Sequence, residues 1–175
     1  EVVFTRQEEL GMVGARNLDY SQINAKKGVT FDGEEGLENI TISSPGYMNF
    51  NLEITGRGAH AGVAPENGIS AIKIGSEVIS QLELGRIDHE TTANIGLVEG
   101  GSARNAVPET MTIRGEIRSR NLKKLEKHTQ HFQDVLDKTM LKYPEAKFNI
   151  ELYKEFDPYL FEETHSVIQL ITKVL

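Results

Sequence analysis

Hydrophobic residues recur with a period of two in the central part of the chain. Alternate residues are apolar in three stretches, Tyr47–Thr55, Thr110–Arg118 and Phe148–Leu152. This is the pattern of a β-strand that buries one face and exposes the other. Thr92–Val98 is a further stretch of strand length that ends in a glycine-rich turn. We therefore predict four strands between residues 47 and 152.

Two segments between these strands carry apolar residues at helical spacing instead. Asn67–Leu84 has an apolar stripe of this kind, and a longer segment starts after Asn121, a good helix cap, and ends at Tyr143-Pro144. The order is then strand, helix, strand, strand, helix, strand. That order predicts an α+β fold of the split βαβ (ferredoxin-like) type, a four-stranded antiparallel sheet with two helices on one face.

The flanking segments predict pieces of a second, α/β domain. Glu1–Thr5 and Gly28–Gly33 are short apolar runs that predict two strands, and Asn17–Ala25 predicts a short helix or helical turn between them. Ser166–Leu175 indicates the first turns of another helix. The expected domains are a partial α/β domain at 1–45, a central domain at 46–157, and a return into the first domain at 158–175.

Composition narrows the choice of partner and compartment. The 175 residues include 19 basic and 26 acidic side chains, a net charge of −7, which argues against nucleic acid or an anionic membrane as the main partner. There are no cysteines, which excludes disulfides and thiolate metal sites and fits a reducing, cytoplasmic compartment. Because the first residue is Glu1 rather than Met, we expect the sequence to be a fragment of a longer protein.

Three carboxylates follow the predicted flanking strands. Glu8 and Glu9 come just after the first strand, and Asp32 follows the second. If both strands belong to one parallel sheet, these carboxylates lie at its carboxyl edge, where α/β folds bind ligands. The alternatives are a solvated acidic pair at Glu8-Glu9 and a plain Asp-Gly turn at Asp32.

A glycine-rich loop, Gly56–Pro65, presents one imidazole, that of His60. Little side-chain bulk surrounds this histidine, so a ligand can approach it closely. The alternative is an incidental surface histidine on a strand-to-helix turn. His128 and His131 have a spacing that can bind a metal, but no acidic partner lies nearby in sequence; they are interpreted, with His89, as solvated.

These motifs occur in a specific order, namely Glu-Glu-Leu-Gly-Met-Val-Gly-Ala at 8–15, Asp32, Gly-Ala-His-Ala-Gly at 58–62, Asn-Ala-Val-Pro at 105–108 and Arg118-Ser119. Together they resemble the di-zinc family of aminopeptidases, carboxypeptidases and aminoacylases, in particular its peptidase T-like (tripeptidase) branch. The resemblance runs from about Val2 to Tyr159. It implies a zinc-binding catalytic domain interrupted by a lid, or dimerisation, domain.

The resemblance also implies a role for each candidate residue. By it, Glu8 is the general base, Glu9 and Asp32 are zinc ligands, and His60 stabilises the oxyanion, often across a dimer. Asn105 and Arg118 match positions that hold the substrate backbone or its carboxylate. The implied cofactor is two zinc ions per site, the substrate is a short peptide, and the partner is a second copy joined through the lid. Without the resemblance, Arg118 would be a surface arginine and Asn105 a turn cap.

The sequence departs from the family pattern in one respect. The His-x-Asp motif, the metal-bridging Asp and the last zinc-ligand His are absent, so Glu9 and Asp32 alone cannot build a two-zinc site. We therefore expect these 175 residues by themselves to bind zinc poorly and to lack peptidase activity. Two alternatives stay open for the whole protein: a dimerising interaction module, and an amidohydrolase of N-acyl amino acids.

Overall fold

A computed structural model describes residues 1–9, 11–31, 36 and 39–174. The chain divides into two compact units, a smaller one formed by Glu1–Ile42 and Leu160–Leu175, and a larger one formed by Ser43–Tyr159. None of the helices in the described ranges is long and apolar enough to cross a membrane.

The larger unit contains the predicted alternation of strands and helices. In chain order its elements are β1 (Ser43–Ser44), β2 (Gly46–Thr55), β3 (Ala59–His60), a 3-10 turn (Pro65–Asn67), α2 (Ala71–Gln81), β4 (Gly85–Arg86), β5 (Thr91–Gly100), β6 (Ala106–Val107), β7 (Thr110–Ser119), α3 (Leu122–Lys142) and β8 (Lys147–Phe156). A last strand, β9 (Tyr159–Leu160), begins at the end of this unit, and α1 (Val13–Arg16) and α4 (Ser166–Thr172) belong to the smaller unit.

The main sheet has five strands in the order β4-β5-β7-β2-β8, and all neighbouring strands are antiparallel. Strand β7 lies between β2 and β5, so α2 connects two parallel strands across an intervening one. The predicted mixed α+β fold with an antiparallel sheet is therefore confirmed. The predicted strand count of four is too low, because β4 is only two residues long and cannot produce an alternating pattern.

One face of the sheet is buried under α2 and α3. Inward residues of β2 and β7 form a single core with residues of both helices; among them are Phe50, Leu52, Ile54, Ile74, Val78, Met111, Ile113, Leu125, Phe132 and Leu136. Helix α2 approaches β7 so closely that a Cβ at Gly75 would lie 2.2 Å from the sulfur of Met111. A larger residue would require the Met111 side chain to move, so Gly75 lets α2 pack closely on the side chains of β7.

The prediction that His128 and His131 are solvated is wrong. His128 lies on the apolar stripe of α3 and is only 8% exposed, and the Nε2 atom of His131 is also shielded from solvent. The Nδ1 atom of His128 lies 3.6 Å from a carboxylate oxygen of Glu83. The fold thus supplies His128 with an acidic neighbour from the segment after α2. His89 is exposed, as predicted.

In the smaller unit, the predicted helical segments are confirmed but the two predicted strands do not form over the described residues. A 3-10 turn at Tyr20–Gln22 lies inside the predicted helical segment, and α4 forms where a helix was expected. Glu1–Thr5 and residues 28–31 form no strand, and Phe4 and Phe31 are 92% and 83% exposed. A strand needs a hydrogen-bonded neighbour, and the described residues of this unit provide none for these two runs.

Candidate active site

The loop that carries His60 is closed at its base by the backbone. The Gly56 N–H donates to the Glu109 carbonyl (2.7 Å), and Arg57 and Ile69 exchange two hydrogen bonds of 3.0 and 2.8 Å. A Cβ at Gly56 would lie 2.1 Å from the Ile69 oxygen, so only glycine fits there. The loop therefore leaves the end of β2 and returns toward α2, and hydrogen bonds between Arg57 and Ile69 hold its two ends together.

His60 itself lies in a two-stranded ribbon formed by β3 and β6. Ala59 pairs with Val107 and His60 with Ala106. The N–H of Gly62 donates to the imidazole Nδ1 at 3.2 Å. A neutral imidazole that accepts at Nδ1 carries its proton on Nε2. The exposed ring therefore offers an Nε2–H donor that no hydrogen bond within the described residues occupies.

The same ribbon brings Asn105 next to His60. The Asn105 carbonyl accepts from the Ala61 N–H at 2.9 Å, and Ala106 N–H donates to the Ala103 carbonyl, which closes a turn with Asn105 near its tip. The Asn105 side chain is exposed. Two residues that are 45 positions apart in sequence are thus neighbours, and both present polar side chains to solvent.

Arg118 lies on the outer, helix-free face of the sheet in a charged cluster. Its Nε lies 2.9 Å and its Nη2 lies 3.0 Å from the two carboxylate oxygens of Glu116. The Tyr47 hydroxyl donates to Glu116 at 2.9 Å, and the guanidinium stacks 4.4 Å above the Tyr47 ring. The edge of the guanidinium formed by Nε and Nη2 is therefore engaged by Glu116.

Each member of this cluster shifts the pKa of another. Burial alone would raise the pKa of Glu116, but hydrogen bonds from Arg118 and Tyr47 outweigh it and lower that pKa. The hydrogen bond to Glu116 raises the pKa of Arg118. Burial, and then the hydrogen bond to Glu116, raises the pKa of Tyr47. The cluster consequently holds a charged carboxylate and a charged guanidinium in a fixed orientation at neutral pH.

Arg118 and the His60 ribbon lie at opposite ends of the sheet. Strand β7 pairs with β2 from Thr110, beside Thr55, to Ser119, beside Gly46. The His60 loop follows directly on Thr55, whereas Arg118 is paired with Tyr47. At about 3.3 Å per residue, the eight steps from Thr110 to Arg118 cover roughly 26 Å. Arg118 and the start of the His60 loop therefore lie at opposite ends of β7.

The candidate carboxylates belong to the smaller unit. The Glu8 carbonyl accepts from the N–H groups of Gly11 and Met12 at 3.0 and 2.7 Å, so Glu8 anchors the turn that leads into α1. Gln7 and Met12, on either side, have φ of 59° and 57°, the left-handed region that non-glycine residues rarely adopt. Such strain is often found at functional sites. Both Glu8 and Glu9 are exposed.

The described residues do not form a metal centre by themselves. Asp32, predicted as a zinc ligand, lies outside the described residues, as does the end of its predicted strand. Within the described ranges, no group of three or more His, Cys, Asp or Glu side chains is arranged to hold a metal ion. Glu9 is thus the one proposed ligand that can be located, and it does not fit a zinc site on its own.

Sequence reasoning missed two residues of the Arg118 cluster, Tyr47 and Glu116. The available signal was the period of two, which puts residues 116 and 118 on the same face of β7. The contact with Tyr47 depends on the pairing of β2 with β7, and nothing in the local sequence sets that register.

Comparison with known proteins finds one matching family and a relative that aligns with almost the whole chain. The sequence profile of a family described as the peptidase dimerisation domain matches residues 42–144. The uncharacterized protein YqjE of Bacillus subtilis is 36% identical over 173 residues, which are 99% of this chain and 46% of YqjE.

Two solved structures also match. The aminopeptidase PepT of Bacillus cereus is 36% identical with a TM-score of 0.83, over 95% of this chain and 44% of that one. A tripeptidase of Staphylococcus aureus is 29% identical with a TM-score of 0.87, over 97% of this chain and 45% of that one. The chain thus spans less than half the length of each of these relatives.

Proposed function

Because the chain belongs to the peptidase dimerisation domain family, we propose that the full-length protein is a dimeric, zinc-dependent aminopeptidase of the peptidase T type that hydrolyses short peptides. The observation that carries this proposal is the β3–β6 ribbon, which holds His60 beside Asn105 with the imidazole Nε2–H unoccupied. A donor of this kind is suited to a negative charge that appears only during the reaction.

In this proposal the chain contributes a base, an oxyanion donor and substrate-binding groups. Glu8 accepts a proton from the attacking water and passes it to the leaving amine. His60 donates from Nε2 to the oxygen of the tetrahedral intermediate, and the exposed amide of Asn105 holds the substrate backbone next to it. Zinc would lower the pKa of a bound water, with Glu9 and Asp32 as two of its ligands and the others supplied from outside this sequence.

Arg118 is proposed to bind the carboxylate of the substrate. Glu116 occupies the edge formed by Nε and Nη2, and in this proposal the substrate carboxylate binds along the edge that includes Nη1. Arginine binds carboxylates with two parallel hydrogen bonds. Glu116 and Tyr47 therefore orient the guanidinium before the substrate arrives, which reduces the entropy lost on binding.

The distance between the two ends of the sheet supports a dimer in which each active site takes its groups from both subunits. Arg118 lies roughly 26 Å along β7, at about 3.3 Å per residue, from Thr110, the end of the strand beside which the His60 loop begins, and this separation argues against both groups sharing one short peptide. A two-fold axis brings unlike parts of two identical subunits together. We propose that each active site combines His60 of one subunit with Arg118 of the other.

The edge of β5 is the better candidate for the contact between subunits. Strand β4 pairs with β5 only at Thr92 and Ala93, so the edge at 94–100 has no partner strand in this unit, and Leu97 is 55% exposed. Both edge strands take part in a pairing with a register shift, but the opposite edge, β8, also carries Lys147 and Lys154, whereas residues 94–100 contain no lysine. Lysines are among the features that keep sheet edges from pairing.

The test uses the full-length protein with zinc or cobalt, and tri-alanine and N-acetyl amino acids as substrates. We expect tripeptide hydrolysis, and a loss of kcat of about 10²- to 10⁴-fold in Glu8→Gln with the metal content unchanged. Glu126→Gln, an exposed residue of α3, is the matched control. Turnover of N-acetyl amino acids alone would favour the amidohydrolase, and turnover of neither substrate class would favour a dimerising interaction module.

A further inference from the structure

We propose that Arg57 is a positioning residue for His60, and that it acts through one directional hydrogen bond rather than through its charge. The guanidinium Nε donates to the Asn67 carbonyl at 2.6 Å. Arg57 precedes His60 in the loop and Asn67 follows it, so this hydrogen bond joins the two sides of the loop. The inference rests on the proposed role of His60 in the reaction.

A short series of hydrogen bonds connects Asn67 to His60. The Asn67 N–H donates to the Ala64 carbonyl at 3.2 Å, and the Ala64 N–H donates to the His60 carbonyl at 3.0 Å. The Gly62 N–H, between them, holds the imidazole Nδ1. A displacement of Asn67 is therefore passed through Ala64 to the residue that sets the direction and tautomer of the ring.

The part of the loop between His60 and Gly68 has no buried side chain to fix it in place. Residues 61–67 are all described, and none of their side chains is buried. Within residues 56–69 the side-chain hydrogen bonds are the one from Arg57 and the one at the His60 ring. Where apolar packing is absent, hydrogen bonds determine how far a loop departs from its mean position. The Arg57 side chain therefore contributes to His60 geometry more than an exposed arginine normally would.

The chemistry of the side chain allows a sharp test. Counting from the backbone, the Nε of arginine and the Nε2 of glutamine occupy the same position, so Arg57→Gln keeps an N–H donor there without the charge. Arg57→Lys keeps the charge but places a methylene at that position, and Arg57→Met removes both charge and donor. The proposal predicts that Arg57→Gln keeps the wild-type position of His60, whereas Arg57→Lys and Arg57→Met both disturb it. Arg120→Ala, another exposed arginine, controls for the loss of a surface charge.

Two readouts are measured in the full-length protein. The first is the tautomer and mobility of the His60 ring by ¹⁵N NMR, with Nε2–H expected in the wild type, Arg57→Gln and Arg120→Ala, and a mixed tautomer in the other two variants. The second is steady-state kinetics, with kcat about tenfold lower in Arg57→Lys and Arg57→Met and KM little changed, as expected for a misplaced transition-state donor.

The opposite ranking would overturn the proposal. If Arg57→Lys retains activity and Arg57→Gln does not, Arg57 acts on the substrate through its charge. If Arg57→Met behaves like the wild type in both readouts, the hydrogen bond to Asn67 has no role. The NMR readout is independent of turnover. If no variant and no wild-type protein cleaves peptides, the proposed function fails, and the ring tautomer still decides whether Arg57 orders the loop.

Discussion

The two ends of the main sheet hold their polar side chains in opposite ways. At the end that follows Thr55, His60 is positioned by backbone hydrogen bonds, and its Nε2 is left unpaired. At the other end, Arg118 is held by a carboxylate and an aromatic ring, and its charge is compensated. A neutral imidazole can be left unpaired in water at little cost, whereas a permanent charge in a half-buried position needs a counter-charge.

The difference indicates when each group is expected to act. A compensated guanidinium with one open edge is ready to bind a ground-state carboxylate. An uncompensated N–H donor is most useful to a charge that develops later, in the transition state. The two ends therefore suit two stages of one reaction, provided that two subunits bring them together.

The largest expected effect comes from mixing two inactive variants. His60→Ala and Arg118→Ala are each expected to lose most tripeptidase activity as homodimers. If each site combines Arg118 of one subunit with His60 of the other, every mixed dimer has one intact site. Random exchange makes half of the dimers mixed, so activity should return to about a quarter of the wild-type value. The measurement is turnover before and after subunit exchange.

The control for this experiment is each variant taken alone through the same subunit exchange. Every dimer then carries one substitution in both subunits and should stay inactive. If the two groups acted within one subunit, the mixed dimer would contain no intact site and no activity would return. That result would also contradict the argument from the length of β7.

A smaller effect is expected at the sheet edge that is proposed to join the subunits. Leu97→Lys puts a charge in the middle of the β5 edge, and in a two-fold interface each substitution occurs twice. We expect the dimer dissociation constant to rise at least tenfold, about 1.4 kcal/mol. Analytical ultracentrifugation over a range of concentrations measures it.

Asn149→Lys, which adds the same charge to the exposed β8 edge, is the matched control and should leave the dimer unchanged. A dimer that tolerates Leu97→Lys but is weakened by Asn149→Lys would place the interface on β8 instead.

The parts of this fold that could be predicted from sequence are those in which each segment carries its own pattern. Strand β2 buries Phe50, Leu52 and Ile54 on one side, and the alternation alone predicts it. Asn121 was expected to cap the long helix, and its side chain does accept from the Lys124 N–H at 3.3 Å. In these cases local chemistry and tertiary structure agree.

The parts that could not be predicted depend on a second segment. The contact of Glu116 with Tyr47 is set by the register of β7 on β2, and the approach of Glu83 to His128 by the packing of α2 on α3. The flanking apolar runs were expected to be strands, but a strand forms only beside a partner. The roles of Glu8, Glu9, Asp32, His60, Asn105 and Arg118 stay predictions that the experiments above address.

The smallest expected effect concerns the pH dependence of stability at the Arg118 end of the sheet. The pKa of Glu116 is lowered in the folded protein, so its ionised form stabilises the fold. This contribution is complete above the ordinary glutamate pKa of about 4.3 and is lost as the pH falls through the lowered folded value. Because the cluster is only partly buried, we expect Glu116→Gln to reduce the free energy of unfolding by only about 1 kcal/mol at pH 7.

Urea denaturation of the wild type and Glu116→Gln at pH 7 and in acid, well below pH 4.3, measures this difference. It should shrink toward zero in acid, where the wild-type carboxyl is protonated and resembles the amide. Glu151→Gln is the matched control, because that carboxylate accepts from the neutral amide of Asn51 rather than from a guanidinium, and its effect should be small at both pH values. A Glu116→Gln difference that is equal at both pH values would mean that shape, not charge, holds Arg118 in place.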